Sequence, residues 1–329
     1  MLMTLHIGII GTGWFSRVHA DIIKGMNGVK LQAVCGTSLS KAEHMAQDYE
    51  AKGYGHLKDM LDSERLDAVY ICVPPMSHGE IELELIRRGI PFLVEKPLGL
   101  DAELPRRILE QVEATGILTS VGYHFRYAQT VDRLKAMVNT HKVGMALGKW
   151  MGSMPGVAWW RQQNGSGGQC IEQTTHVVDL LRYVAGEVDE VYALYGKRVK
   201  HELEPNVEVA DVGTITLKMR SGLIANISNT CVLPGDSDIS ETGLSFYTNQ
   251  GILDWSPQRL SVQASGIQTN YTANNQPYIQ ENEAFIHALR TGDKSLIRSD
   301  YADAFKTQQV TCAALESATR GMPVAVLTI

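Results

Sequence analysis

Over the first 122 positions, short apolar runs alternate with amphipathic stretches. Residues 5–10 form an apolar run that ends in glycines, and residues 15–26 follow with helical spacing. Residues 31–35 repeat the strand pattern and residues 41–50 the helical one. A third run, 68–73, is stopped by Pro74-Pro75 and gives way to helical spacing over 79–88, with Gly89 placed to end that helix. Residues 91–94, a helix around 104–114 and the run 118–122 complete the series. Such alternation predicts an α/β domain with a right-handed, doubly wound parallel sheet, the Rossmann arrangement.

Beyond Gly122 the texture changes. Residues 131–139 predict a helix, Gly165-Ser166-Gly167-Gly168 a loop, and residues 172–184 a second helix. Runs at 191–195, 213–219, 223–229 and 243–247 alternate in polarity. Turn residues such as Arg220-Ser221-Gly222 and Asn249-Gln250-Gly251 lie between them, so strands joined largely by hairpins are expected. Two helices follow, near 279–290 and 301–320. The pattern divides the chain near Gly122 into a first domain, 1–122, and a second, 123–329, whose last helix is expected to pack back on the first domain.

Composition narrows the function classes. The formal charge of −6 comes without any long Lys/Arg run, which argues against nucleic acid as a partner. Five scattered cysteines without a Cys-x-x-Cys pair suggest neither a disulfide framework nor a zinc site. The apolar N-terminus has no basic flank and reads as a first strand, not a signal peptide. No apolar stretch reaches the roughly 18 residues of a membrane span. A cytoplasmic protein with no membrane partner is expected.

The turn between the first strand and helix reads Gly11-Thr12-Gly13-Trp14-Phe15-Ser16. Gly11 suits the tight turn, Gly13 lets backbone approach a pyrophosphate, and small Ser16 lets helix and strand pack closely. A dinucleotide's phosphates would sit at the helix N-terminus, against Thr12, Gly13, Trp14 and Phe15. In an NAD enzyme a carboxylate at the end of the second strand holds the ribose hydroxyls. Here that stretch reads Gly36-Thr37-Ser38-Leu39-Ser40-Lys41, with two hydroxyls and a lysine available at Thr37, Ser38 and Lys41. NADP is therefore expected over NAD.

The order of this glycine turn, Val73-Pro74-Pro75-x-x-His78 and Glu95-Lys96-Pro97 resembles the Gfo/Idh/MocA family of oxidoreductases. The resemblance continues through Gly122-Tyr123-His124-Phe125-Arg126-Tyr127, Gly167-Gly168 and Glu172-x-x-x-His176-x-x-Asp179 to Ser299-Asp300 and Gly321-Met322-Pro323-Val324. It implies a C-terminal half built on a large, mostly antiparallel open sheet. It also implies hydride exchange between a nicotinamide and a secondary alcohol of a sugar, cyclitol or related polyol. Pro74, His78, Glu95 and Lys96 would adjoin the cofactor.

Such a reaction needs a base for the hydroxyl proton and a positive donor for the developing oxyanion. Lys96, where a parallel strand ends, suits the second role, and its bond to Pro97 is a candidate for cis. Glu172, His176 and Asp179 at i, i+4 and i+7 would share one helix face, a polar stripe in an apolar segment. His176, of a residue type that titrates near about 6.5, is the acid–base candidate. Glu172 stands where many relatives carry Asp, and it would orient His176 or bind substrate. Arg126, Trp160, Arg161 and Asp179 are expected to contact substrate, Trp160 as a wall for sugar C–H faces. No metal is expected, since one histidine with two carboxylates is a poor zinc set. A homodimer or homotetramer is expected from the open sheet. Competing readings are a redox-neutral, glycosidase-like enzyme that uses its cofactor transiently and a non-catalytic dinucleotide-bound regulator.

Overall fold

The computed structural model describes residues 4–235 and 239–327. Its first compact unit comprises residues 1–99, 103–122 and 278–304; its second comprises 100–102, 123–277 and 305–329. The main crossing thus falls at Gly122/Tyr123. The first unit, however, is completed by residues 278–304, which the division of the sequence at 122 had assigned to the second.

In the first unit six parallel strands run β1 (Leu5–Ile10), β2 (Val29–Cys35), β3 (Lys52–Tyr54), β4 (Ala68–Ile71), β5 (Phe92–Val94) and β6 (Thr119–Val121). Between them lie α1 (Trp14–Gly25), α2 (Leu39–Gln47), α3 (Leu57–Ser63), α4 (Glu80–Arg88) and α5 (Glu103–Thr115). The sheet order is β3-β2-β1-β4-β5-β6, so the winding reverses between β1 and β4. Ligands of open α/β sheets bind outside the carboxyl ends of the strands at such a reversal. Ile7, Ile9, Leu31, Val34, Tyr70 and Leu93 form the core between strands and helices.

In the second unit the helices are α6 (Gln129–Thr140), the single turn α7 (Gln163–Ser166), α8 (Thr175–Ala185) and the short α9 (Lys200–Leu203). The strands are β7 (Val143–Ser153), β8 (Val188–Gly196), β9 (Val212–Met219), β10 (Ile224–Leu233), β11 (Glu241–Thr248), β12 (Gly251–Ser256), β13 (Arg259–Ala264), β14 (Ile267–Thr272) and β15 (Val324–Ala325). They form one sheet in the order β14-β13-β12-β11-β7-β10-β9-β8-β15. Every pairing is antiparallel except β7 with β10. α8 packs its Val177, Val178, Leu180 and Leu181 into the core under one face of this sheet.

β7, the longest strand and a central one, has no counterpart in the sequence pattern. Its glycines hide it, and one of them has a structural reason. A Cβ on Gly148 would lie 2.8 Å from Val177 Cγ1 and 2.9 Å from Ile227 Cγ1, so this position lets α8 sit close to the sheet. Two long helices close the fold. α10 (Pro277–Thr291) brings Phe285 and Ile286 into the core of the first unit, whereas α11 (Tyr301–Arg320) adds Val310 and Ala314 to that of the second. Among the described residues no helix is long and apolar enough to cross a membrane.

Candidate active site

The candidate residues divide between the two units. In the first they gather at the carboxyl ends of β1, β2, β4 and β5. Gly11 holds φ +116°, and a Cβ there would lie 2.2 Å from Cys72 O, so only glycine fits where β1 turns beside the end of β4. Ser16 is buried and its Oγ would lie 2.8 Å from that same Cβ, which is the close helix–strand contact expected of a small residue. Nothing lies within 4 Å of a Cβ built on Gly13, so the first turn of α1 leaves room for a ligand against its backbone. α1 opens at Trp14 without a side-chain cap, and its N-terminal amides can receive an anion. These features fit a dinucleotide pyrophosphate.

At the end of β2, Ser38 caps α2 by accepting from the Lys41 amide at 3.4 Å, and Lys41 Nζ lies 3.4 Å from Thr37 Oγ1. Gly36 packs against the glycine turn, since a Cβ there would lie 3.0 Å from Thr12 Cγ2. Thr12, Gly36, Thr37, Ser38 and Lys41 therefore form one neighbourhood with no carboxylate in the β2–α2 turn.

Lys96 follows β5 in a cis bond to Pro97. It is 7% exposed, and its Nζ lies 5.8 Å from the centroid of the Phe15 ring. The side chain expected to handle the oxyanion is thus held next to the first turn of α1. Glu95, also expected at the cofactor, is buried in the unit, where it meets His19 Nε2 at 3.0 Å and lies under Gly122, on which a Cβ would come within 2.7 Å of Oε2. His78, expected at the cofactor, is likewise turned inward, with Nδ1 2.6 Å from Glu82 Oε1 and no exposed side-chain surface. Burial alone would push the Glu82 carboxyl up; His78 and the Gly79 amide outweigh it and hold Glu82 below its ordinary value. Pro74 leads into the 3-10 turn Pro75–Ser77 just before this pair.

In the second unit His176 sits in the first turn of α8 and is 4% exposed. Four rings surround it: His124 at 4.8 Å, Phe125 at 5.1 Å, Trp150 stacked at 5.7 Å and Tyr123 at 5.9 Å. Tyr123 is fixed in turn by a 2.9 Å hydrogen bond between its hydroxyl and Thr175 Oγ1. Of these, Trp150 escaped the sequence reading because β7 did, while Tyr123, His124 and Phe125 were visible as a motif but carried no role.

The polar stripe begins in irregular backbone. Residues Cys170–Thr174 make a π-helical turn, so the chain advances more than four residues per turn before α8 begins. Glu172 Oε2 accepts from Trp160 Nε1 at 2.7 Å. Trp160 itself is 1% exposed and clusters with Met154, Val209 and Cys231, so it supports Glu172 from the interior instead of offering a face to a sugar. Arg126 and Asp179, both expected at the substrate, bind each other. Arg126 donates from Nε and Nη2 to the two Asp179 oxygens at 2.7 and 2.6 Å, and Thr307 Oγ1 donates to Asp179 at 2.8 Å. Removing one member of such a buried pair costs about 3–5 kcal/mol, so the two brace α8. Arg161 pairs with Glu204 at 2.6 Å on a more open surface.

The cysteines are free and offer no thiolate chemistry. Burial pushes Cys35 up to about 11 and Cys170, Cys231 and Cys312 up to about 12.

Residues 5–123 match the model for the "Oxidoreductase family, NAD-binding Rossmann fold", and residues 132–254 match the "GFO/IDH/MocA C-terminal domain". An inositol 2-dehydrogenase of Rubrobacter xylanophilus is 26% identical over 338 residues, covering 98% of this chain and 93% of the relative. A myo-inositol dehydrogenase of Corynebacterium glutamicum has a similar solved structure, with TM-score 0.81, 22% identity and coverage of 99% of this chain and 100% of that one. So does a levoglucosan dehydrogenase in complex with NADH and L-sorbose, with TM-score 0.87, 18% identity and full coverage of both chains.

Proposed function

The chain belongs to the GFO/IDH/MocA oxidoreductase family, and we propose that it oxidises a secondary alcohol of a cyclitol, sugar or related polyol to a ketone, and the reverse. It is an NAD-binding dehydrogenase acting on CH–OH groups; substrate class, residue roles and cofactor preference are the proposal. A nicotinamide, when bound, supplies the hydride acceptor. The chain's own residues handle the other half of the chemistry. As the carbinol C–H bond breaks, the O–H proton passes to His176 and the oxygen becomes a carbonyl. Lys96 donates to that oxygen while it carries negative charge. Glu172 orients His176 or meets a substrate hydroxyl, and Arg161, the most accessible of the four expected contacts, is assigned to the substrate side.

The observation that carries this reading is Lys96, buried at the end of β5 with its ammonium beside the first turn of α1. A panel of polyols with each dinucleotide, followed by the absorbance of reduced nicotinamide, tests it. Oxidation of a polyol with matching nicotinamide reduction is expected. Product without net nicotinamide change would favour the redox-neutral alternative, and dinucleotide binding without any turnover would favour a regulator.

NADPH is expected to bind more tightly than NADH, because Ser38, Thr37 and Lys41 line a turn that lacks a carboxylate. Lys41→Ala should weaken NADPH by about fivefold and leave NADH nearly unchanged, one exposed cationic contact to a phosphate being worth about 1 kcal/mol. Fluorescence titration reads both affinities, and tighter binding of NADH by the parent protein would overturn the preference. Removing Lys41 is a cleaner test than placing an acid at Gly36, where a new Cβ would press on Thr12.

A homodimer or homotetramer formed through the open face of the large sheet is the proposed assembly. Met145 on β7 pairs across to Ile224 on β10 and Tyr247 on β11, and all three are exposed, with Leu147 beside them. A contiguous apolar face of this kind is normally covered. Leu147→Glu should shift the mass measured by light scattering toward the monomer; an already monomeric parent would refute the assembly.

A further inference from the structure

Lys96 is part of a closed circuit of contacts, all within the first unit. Its Nζ lies 5.8 Å from the Phe15 ring, and Phe15 lies 6.2 Å from the ring of Tyr278. The Tyr278 carbonyl accepts from Asn282 Nδ2 at 2.7 Å. The Asn282 amide lies 3.0–3.1 Å from His19 Nδ1, and His19 Nε2 lies 3.0 Å from Glu95 Oε1, the residue bonded to Lys96. His19 and Asn282 are fully buried and Glu95 is 4% exposed. Tyr70 packs its ring 5.3 Å from that of His19, while Glu281 brings a carboxylate oxygen within 4.8 Å of the His19 and Glu95 ligand atoms.

We propose that His19 is a positioning residue for Lys96: it ties the Glu95-Lys96 segment after β5 to α1, whose first turn carries Phe15 and the dinucleotide-binding glycines. The inference rests on the assignment of Lys96 made above. Three features separate this role from mere filling of space. Both ring nitrogens of His19 are committed, one to each side of the circuit. Glu95 is closed in by Gly122, so it has no room to follow if His19 is lost, and its carboxylate would stay buried beside that of Glu281 without this partner. And the same helix that carries His19 places Phe15 beside the ammonium, so the two contacts fix Lys96 at its backbone and at its tip.

The test uses His19→Leu, which keeps bulk and removes both hydrogen bonds, and His19→Gln, whose amide nitrogen can reach the place of Nε2. His19→Leu should lower kcat about ten- to a hundredfold, the effect of an ångström-scale misplacement. Dinucleotide Kd should stay within about twofold, and His19→Gln should recover most of the loss. A second reading needs no catalysis: Lys96 should react faster with an amine-directed acylating reagent in His19→Leu than in the parent, measured by peptide mass spectrometry. Equal kcat in parent and His19→Leu, equal losses in both variants, or unchanged labelling of Lys96 would each overturn the inference. Failure of the underlying assignment looks different, because Lys96→Met would then keep its turnover while the labelling difference persisted.

Discussion

Lys96→Met should lower turnover by about a hundred- to a thousandfold while leaving dinucleotide affinity and the folded state intact. That is the usual loss when one donor aimed at a developing oxyanion is removed. Methionine keeps the length and apolar body of the side chain, so it preserves packing on Phe15 and removes only the charge. The loss should fall on kcat more than on KM, because the donor matters most when the oxygen carries charge. Circular dichroism and a dinucleotide titration check the fold, and steady-state kinetics on the best polyol check the rate. A variant with near-normal kcat would reduce Lys96 to a structural residue at the end of β5.

Lys96 shows how far the sequence reaches. The ordered glycine turn, Glu95-Lys96-Pro97 and the alternation of runs located most of the Rossmann half, because β1, β4 and β5 are largely apolar segments bounded by glycine or proline; β3 (Lys52-Gly53-Tyr54) and α3 have no such signature and were not anticipated. The second half was only partly legible. Its strands expose one face, and those with alternating polarity were visible, whereas β7 carries glycines at 144, 148 and 152 and was assigned no element. Chain direction at irregular backbone was less legible still. Glu95 and His78 were placed at the cofactor by the resemblance; what the sequence does not announce is the buried partner of each, His19 on α1 and Glu82 on α4.

The same limit explains the substrate side. Glu172 lies in the π-turn over Cys170–Thr174, whereas His176 and Asp179 lie in the regular helix α8, and four residues remain close to one turn in either helix type. Asp179 then meets Arg126, a pairing that neither residue's neighbours in sequence announce. Trp160 was chosen as a sugar platform from residue type alone, but its indole N–H serves Glu172. The Glu172, His176 and Asp179 stripe was read as polar groups in need of partners; which partner satisfies each is a tertiary property.

His176→Asn should cost about 10²–10⁴-fold in rate, the range for loss of one acid–base group, and should change the shape of the pH profile as well as its height. Oxidation requires a neutral imidazole to take the hydroxyl proton, so its rate should fall as pH drops and His176 becomes protonated. Ketone reduction requires the imidazolium as donor, so its rate should fall as pH rises. Opposite limbs for the two directions identify one group working in both. The aromatic cage holds that group in place: Trp150 stacks on the ring, and Tyr123, His124 and Phe125 close other sides. Titratable neighbours are Tyr123, His124 and, one turn earlier, Glu172. His124 lies closest, so His124→Asn is the control and should keep both limbs. Glu172→Gln should cost less than His176→Asn, because an amide oxygen can still accept from Trp160 Nε1 where the carboxylate does now. If His176→Asn keeps the parent's limbs in both directions, the proton leaves by another route, and Lys96 becomes the group to titrate.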